Sequence, residues 1–214
     1  MKLESKIAMG IAALMLIGLF YIPFWSISMT APQYPEGIGM YIHIDDVSGH
    51  KRHDLQSINT LNKYIGMAEI HREDFPEFDI MPWVIGFMIA FGLLAAITGS
   101  MKLVVSWIVL MVIIGIAGLV DFYYWGYDYG HNLNPDAPIK VPGMSYQPPL
   151  IGCKQLLNIN ACSWPFTGSI FIGLSMLFAG TVVWYEKYYQ PGRSNKVSTQ
   201  KIENSTLNSV TSNQ

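Results

Sequence analysis

The chain has 214 residues, of which 51% are hydrophobic and only 13% are charged, and its formal net charge is −2. Charged residues reach about 25% in ordinary soluble domains, so the composition indicates an integral membrane protein. The near-neutral charge excludes a general electrostatic attraction to nucleic acid, and we expect no nucleic-acid partner. The 2 cysteines are too few for a small scaffold held together by disulfides.

Four stretches with almost no charge have the roughly 20 apolar residues that a helix needs to cross the hydrocarbon core. Lys2 and Lys6 precede the first stretch, but its apolar run is much longer than the roughly 7–15 residues of a secretory signal. We therefore expect a retained anchor. The sequence predicts an all-α membrane protein, a bundle of four transmembrane helices at 7–29, 80–98, 103–125 and 166–185.

The basic residues indicate how the bundle is inserted, because cytoplasmic loops close to span ends are enriched in Lys and Arg. Lys102 and Lys187 join the N-terminal lysines on one side, whereas the basic residues of the other side lie in two long outer loops. Both termini are therefore expected in the cytoplasm. The predicted organisation is the N-terminus and first helix at 1–29, an outer loop at 30–79, two helices at 80–125, a second outer loop at 126–165, a fourth helix at 166–189 and a disordered tail at 190–214.

The predicted spans carry little chemistry. They contain no His, and no Lys, Arg or Glu in their interior. This argues against a bis-histidine haem inside the bilayer and against the usual intramembrane proton or ion relay. Asp121 is the exception, about one turn before the outer end of the third span. Its carboxylate could be structural, bonded to headgroup water or to an aromatic neighbour, or it could handle protons.

The two outer loops have different patterns. In the first loop, alternation over 39–45 predicts a short strand, 46–52 resembles a turn, and apolar residues at helical spacing over 55–65 predict an amphipathic helix capped by Ser57. In the second loop, repeated prolines favour extended and rigid chain. We therefore expect two ordered loops that form a small α+β cap on the bundle.

The two cysteines, Cys153 and Cys162, both lie in the second outer loop, on the oxidising side of the membrane. Their spacing permits a disulfide, with free thiols or metal ligation as the alternatives. A membrane thiol oxidase would need a C-x-x-C motif or a second cysteine pair, which the sequence lacks.

Every histidine lies in the outer loops, together with three methionines. Imidazole and thioether groups suit copper in an oxidising compartment, so copper is the cofactor that this set could hold. None of the spacings is a strong metal motif, and solvated loop side chains are the alternative interpretation. The candidate copper contacts are His43, His50, His53, His71, His131, Met40, Met67 and Met144.

Three stretches carry a likeness to a family: APQYPEG at 31–37 with GM at 39–40, NKYIGM at 62–67, and the stretch 127–149. In them the chain resembles four-span inner-membrane proteins of Bacteroidota-type bacteria that are encoded with nitrous oxide reductase and its copper maturation genes. The resemblance covers nearly the whole chain except the tail. It implies a bacterial inner (cytoplasmic) membrane, periplasmic outer loops, and a periplasmic partner that is the copper reductase or its maturation machinery.

Two functional hypotheses follow. In the first, the chain is an inner-membrane accessory or anchor protein that docks a periplasmic copper enzyme, nitrous oxide reductase, or its maturation factors through the outer loops. The alternative is a quinol-docking, electron-transfer or transport subunit that uses Asp121 and the aromatic residues around it. The sequence shows no nucleophile–base pair and no complete metal motif, so we do not expect an enzyme.

Overall fold

The computed structural model describes residues 1–139, 143, 145–156 and 158–189. Met144 and the tail at 190–214, both named above, lie outside these residues. The described chain forms a layer of apolar helices and a five-stranded antiparallel sheet. In chain order the elements are α1 (Leu3–Met15), β1 (Trp25–Ala31), β2 (Tyr34–Ile42), β3 (Val47–Gly49), α2 (Asp54–Ile65), α3 (Glu77–Thr98), α4 (Met101–His131), β4 (Gly152–Leu156), β5 (Ile159–Pro165) and α5 (Thr167–Trp184).

The expectation of an all-α protein is wrong, because five strands pair into one sheet beside the helical layer. The first predicted span, 7–29, contains part of that sheet. Its helix, α1, continues as a 3-10 helix over Leu16–Phe20, and the chain then enters β1. In β1, serines alternate with large apolar residues, and this period of two belongs to a strand and not to a helix.

Within the described residues, four helices are long and apolar enough to cross a membrane, which agrees with a membrane protein. They are α3, α4, α1 together with its 3-10 extension, and α5 together with the π-helical turn Tyr185–Tyr189 that follows it. α1 packs against α3 and α5, and α3 packs against α4. The N-terminus and the end of α5 meet on the face of the helical layer opposite the sheet, where the Lys2 backbone N–H donates to Glu186 Oε1 over 2.7 Å.

Small residues and two buried hydrogen bonds hold the helices together. A Cβ on Gly92 would lie 2.7 Å from Ala13 Cβ and 3.0 Å from Trp107 Nε1, so α1, α3 and α4 approach closely only because residue 92 is glycine. The fully buried Trp107 indole donates to the Met88 carbonyl over 2.8 Å. The Ser175 hydroxyl donates to a carbonyl of α1 over 2.6 Å. Such contacts replace the hydrophobic drive that lipid cannot supply.

The sheet has the strand order β3-β2-β1-β5-β4, so the two strands that continue into membrane-layer helices, β1 and β5, lie side by side at its centre. Both β4 and β5 lie in the stretch expected to be an extended loop. The second outer loop also begins later than predicted, because 126–131 still belong to α4. With 31 residues, α4 is about 46 Å long and exceeds a hydrocarbon core of about 30 Å.

The last turns of α4 and the helix α2 cover one face of the sheet. Ile58 of α2 packs with Ile27 and Met40 of the sheet, and Phe122 and Trp125 of α4 pack against the same cluster. The predicted strand over 39–45 coincides with the end of β2 only over 39–42, because β2 ends at Ile42. The predicted turn over 46–52 contains β3. α2 begins at Asp54, so it starts before its predicted cap.

The junction between the helical layer and the sheet is tightly bonded. The Gly168 N–H at the start of α5 donates to the Pro23 carbonyl over 2.9 Å, and the Phe166 N–H donates to the Phe24 carbonyl over 2.9 Å. The Ser169 hydroxyl donates to the same Phe24 carbonyl over 2.6 Å. A Cβ on Gly168 would lie 2.8 Å from the Pro23 oxygen and 2.9 Å from Phe24 Cα, so the chains can cross here only at a glycine.

Gly168→Ala should therefore destabilise the protein by roughly 1–3 kcal/mol, because backbone atoms must move to admit the methyl group. Gly173→Ala in the same helix is the matched control, since nothing lies within 4 Å of its added Cβ, and we expect it to be neutral or slightly stabilising. Unfolding in mixed detergent micelles, followed by circular dichroism, measures both. Equal stability of the two variants would contradict the tight junction.

Candidate functional site

The sheet has one apolar and one polar face, because side chains alternate along each strand. Trp25 and Ile27 point into the covered, apolar side. The residues that alternate with them along the strands form the polar face. All polar-face residues named here are partly or fully exposed. The polar face includes Ser26, Ser28 and Thr30 of β1, Tyr41 of β2, and Asn160 and Trp164 of β5.

His50 lies on the polar face directly after β3. Its Nε2 is 2.9 Å from the Ser26 hydroxyl oxygen, and its ring centroid is 4.1 Å from that of Tyr41. The imidazole lies over Gly39, where any Cβ would overlap it. A glycine in β2 thus makes the room in which histidine, serine and tyrosine come together.

Asp54 supports this arrangement from the start of α2. Its buried carboxylate accepts hydrogen bonds from the Gly39 N–H over 3.1 Å and from the Lys51 N–H over 3.2 Å. Burial lowers the pKa of His50, and the negative charge of Asp54 opposes that shift only in part. His50 is therefore mainly neutral at pH 7, and a neutral imidazole can accept a hydrogen bond from a hydroxyl or bind a metal.

The other histidines have separate surroundings. His43 Nε2 is 3.1 Å from the Ser48 hydroxyl oxygen on β3. His131, at the end of α4, stacks on the Tyr127 ring with the centroids 4.0 Å apart. His53 precedes α2 and is exposed. His71 is exposed as well and lies by Glu69.

The acidic neighbour of His71 also pairs with a lysine. Glu69 pairs with Lys63 and with His71, each at 3.2 Å. The hydrogen bond from Lys63 holds the pKa of the Glu69 carboxyl below its usual range. All three side chains are exposed to a large degree, so this is a solvated ion-pair cluster of small energetic weight.

The candidate copper contacts that lie within the described residues are spread over separate parts of the fold. Within the described residues, no three His, Cys, Asp or Glu side chains form a group that could hold a metal ion. Met40 and Met67 both line one cavity, which lies on the apolar side of the sheet. Some of these residues are close in the sequence but lie on opposite faces of the sheet, because side chains alternate along a strand.

Cys153 and Cys162 lie on the polar face, because Cys162 is opposite Ser28 of β1. Asp121 lies apart from that face. Cys153 and Cys162 are paired across β4 and β5 and form a disulfide. Asp121 is exposed on α4. With α4 starting at Met101, Asp121 comes after the roughly 20 residues that cross the hydrocarbon core, at the boundary of the helical layer nearest the sheet.

An apolar cavity lies between the covered face of the sheet, α2 and the end of α4. Among the side chains that line it are those of Met40, Met67, Trp125, Tyr146 and Ala161. No sequence pattern points to this cavity, since its walls come from segments far apart in the chain. Ser26 was not among the candidate residues, because it lay within a predicted span. The alternation of serine with apolar residues was the available signal.

Comparisons with known proteins found no match to this chain. No family model matches the chain, and neither do curated proteins or solved structures.

The surroundings of His50 predict that the folded protein is less stable in acid. Burial puts the pKa of His50 below its ordinary value of 6.5, so the unfolded chain binds the proton more readily, and stability falls as the pH drops through and below 6.5. His50→Gln should flatten that dependence in thermal unfolding between pH 7.5 and 5. The exposed His53 provides the control, His53→Gln. An equal flattening in both variants would contradict a specific effect of the polar face.

Proposed function

We propose that this protein is an inner-membrane accessory protein that docks a periplasmic copper enzyme, nitrous oxide reductase, or its maturation machinery. The observation that supports it best is a folded sheet whose polar face stays exposed and is fixed to four apolar helices by a tight junction. The identity of the partner comes from the sequence resemblance described above. The helical layer acts as a mount in this proposal, and the sheet provides the recognition surface.

The periplasmic placement of the sheet rests on the basic residues. Lys2, Lys6, Lys102 and Lys187 lie at the ends of the apolar helices that face away from the sheet. Basic residues near span ends favour the cytoplasmic side, so we infer that the sheet faces the periplasm. The disulfide between β4 and β5 supports the same orientation, since such bonds persist in oxidising compartments.

The orientation predicts the behaviour of a reporter fused behind Gln214. Green fluorescent protein should fluoresce there, because it matures in the cytoplasm, whereas alkaline phosphatase should stay inactive, because it needs periplasmic disulfides. Whole-cell assays of both fusions provide the measurement. An active phosphatase with a dark fluorescent protein would reverse the orientation and exclude docking from the periplasm.

The docking surface we propose is the end of the polar face farthest from the helical layer. Thr30 and Asn160 are opposite each other across β1 and β5 there, and both are exposed. His43 and His50 lie on the same face but nearer the helical layer, beside Ser48 and Ser26 respectively. Stiff strands bind with little loss of conformational entropy, so a small polar surface can still discriminate. In this proposal the copper is bound by the partner and not by this chain.

Docking predicts that charge placed on this surface breaks the complex without unfolding the protein. Thr30→Arg and Asn160→Arg should each reduce recovery of the copper enzyme at least about tenfold, the effect of an unpaired charge buried in an interface. Gln56→Arg, on the exposed side of α2, is the matched control and should leave recovery unchanged. The measurement is affinity purification from crosslinked native membranes with copper analysis. If the native chain recovers no copper enzyme or maturation factor, the proposal fails.

A further inference from the structure

The cavity on the apolar side of the sheet has the character of a ligand site. Its walls are almost entirely hydrocarbon and aromatic, and they come from the sheet, α2 and the end of α4. Its free volume is about 50 Å³, several times the roughly 10–15 Å³ that one water needs. A short acyl segment or the edge of a ring can enter this space, whereas water would find few polar partners there.

Two polar groups among the lining residues have no partner within the described chain. The Tyr146 side chain is 2% exposed, and its hydroxyl makes no hydrogen bond. The indole N–H of Trp125 is also buried and unbonded. Buried polar groups nearly always find a partner in folded proteins, because leaving one unpaired is costly. Two unpaired donors at one apolar cavity call for an acceptor that the chain does not provide.

Both donors are held in place by their surroundings. The Trp125 ring lies 4.6 Å from the Tyr129 ring and 5.4 Å from the Phe75 ring, measured between centroids. The Tyr146 backbone N–H donates to the Gly130 carbonyl over 2.9 Å. That contact is tight, since a Cβ on Gly130 would collide with the backbone of Gln147. The Trp125 ring and the backbone at Tyr146 are thus held in place, so little ordering of either would be needed on binding.

We propose that this cavity binds an apolar molecule that carries a carbonyl oxygen, which accepts hydrogen bonds from Tyr146 and Trp125. A quinone ring and a fatty-acyl ester both have this chemistry. Trp125 is on the part of α4 that extends beyond the length of the hydrocarbon core, so the site borders the layer in which such molecules dissolve. This inference is independent of the docking proposal, because the cavity and the polar face lie on opposite sides of the sheet.

The test uses the full chain purified from native membranes in mild detergent. Solvent extraction and mass spectrometry identify what it carries, and the stripped protein is titrated with a short-chain naphthoquinone and, separately, with dihexanoylphosphatidylcholine below its micelle concentration. We expect saturable binding of one of these probes, with a rise in the unfolding temperature. Binding of the quinone alone identifies that source, and binding of the phospholipid alone identifies the other.

Tyr146→Phe removes only the unpaired hydroxyl. It should weaken binding of the effective probe roughly three- to tenfold, the worth of one neutral hydrogen bond, and the ligand-free variant should unfold at the same or a higher temperature. Tyr64→Phe is the control, since Tyr64 is exposed on α2 and does not line the cavity. Ala161→Leu, which fills the cavity, should abolish binding. Saturable binding of neither probe, or unchanged affinity in Tyr146→Phe, would overturn the proposal.

Discussion

The pairing of β1 with β5 directly above the ends of α1 and α5 is the contact on which the rest of the structure depends. Residues 25 and 165 are the first pair of this ladder, and the Trp25 indole donates to the buried Ser163 hydroxyl over 2.8 Å at its base. Because two helices of the apolar layer continue almost without a linker into two neighbouring strands, the sheet cannot turn relative to the helices unless backbone hydrogen bonds break. The other strands add outward from this pair, and their positions follow from it.

Alternation along the strands then divides the protein into two chemically different surfaces. The serines and Thr30 of β1 face the polar side, whereas Ile27 and Met40 face α2 and the cavity. A partner that touches the polar face and a molecule in the cavity would be separated by the thickness of one sheet. Substitutions on one side can therefore be interpreted without disturbing the other, provided that they leave the backbone pairing intact.

The sequence was sufficient to predict the long apolar helices but not the five-stranded sheet, and the reason is physical. A hydrocarbon core demands long apolar runs, so the four spans were visible. β1 follows the apolar α1 so closely that hydrophobicity continues across 7–29, and only the alternating serines mark the change of structure. His50 was named from its residue type, but its contact with Ser26 spans 24 positions and reaches into a stretch assigned to the membrane. Trp125 and Tyr146 line the same cavity because of tertiary packing, which no local sequence pattern predicts.

The sheet also stabilises the helical layer, and α4 shows how. In the most apolar stretch of α4 17% of the residues are buried, against 33% in α1. α4 is therefore packed less extensively against the other helices. Its inner contact is Trp107 against Met88 of α3, and its outer contact is the aromatic cluster around Trp125 against the sheet. These two points are roughly 27 Å apart on one rigid helix. An occupant of the cavity would touch the outer point, and therefore would act on an element that crosses the whole layer.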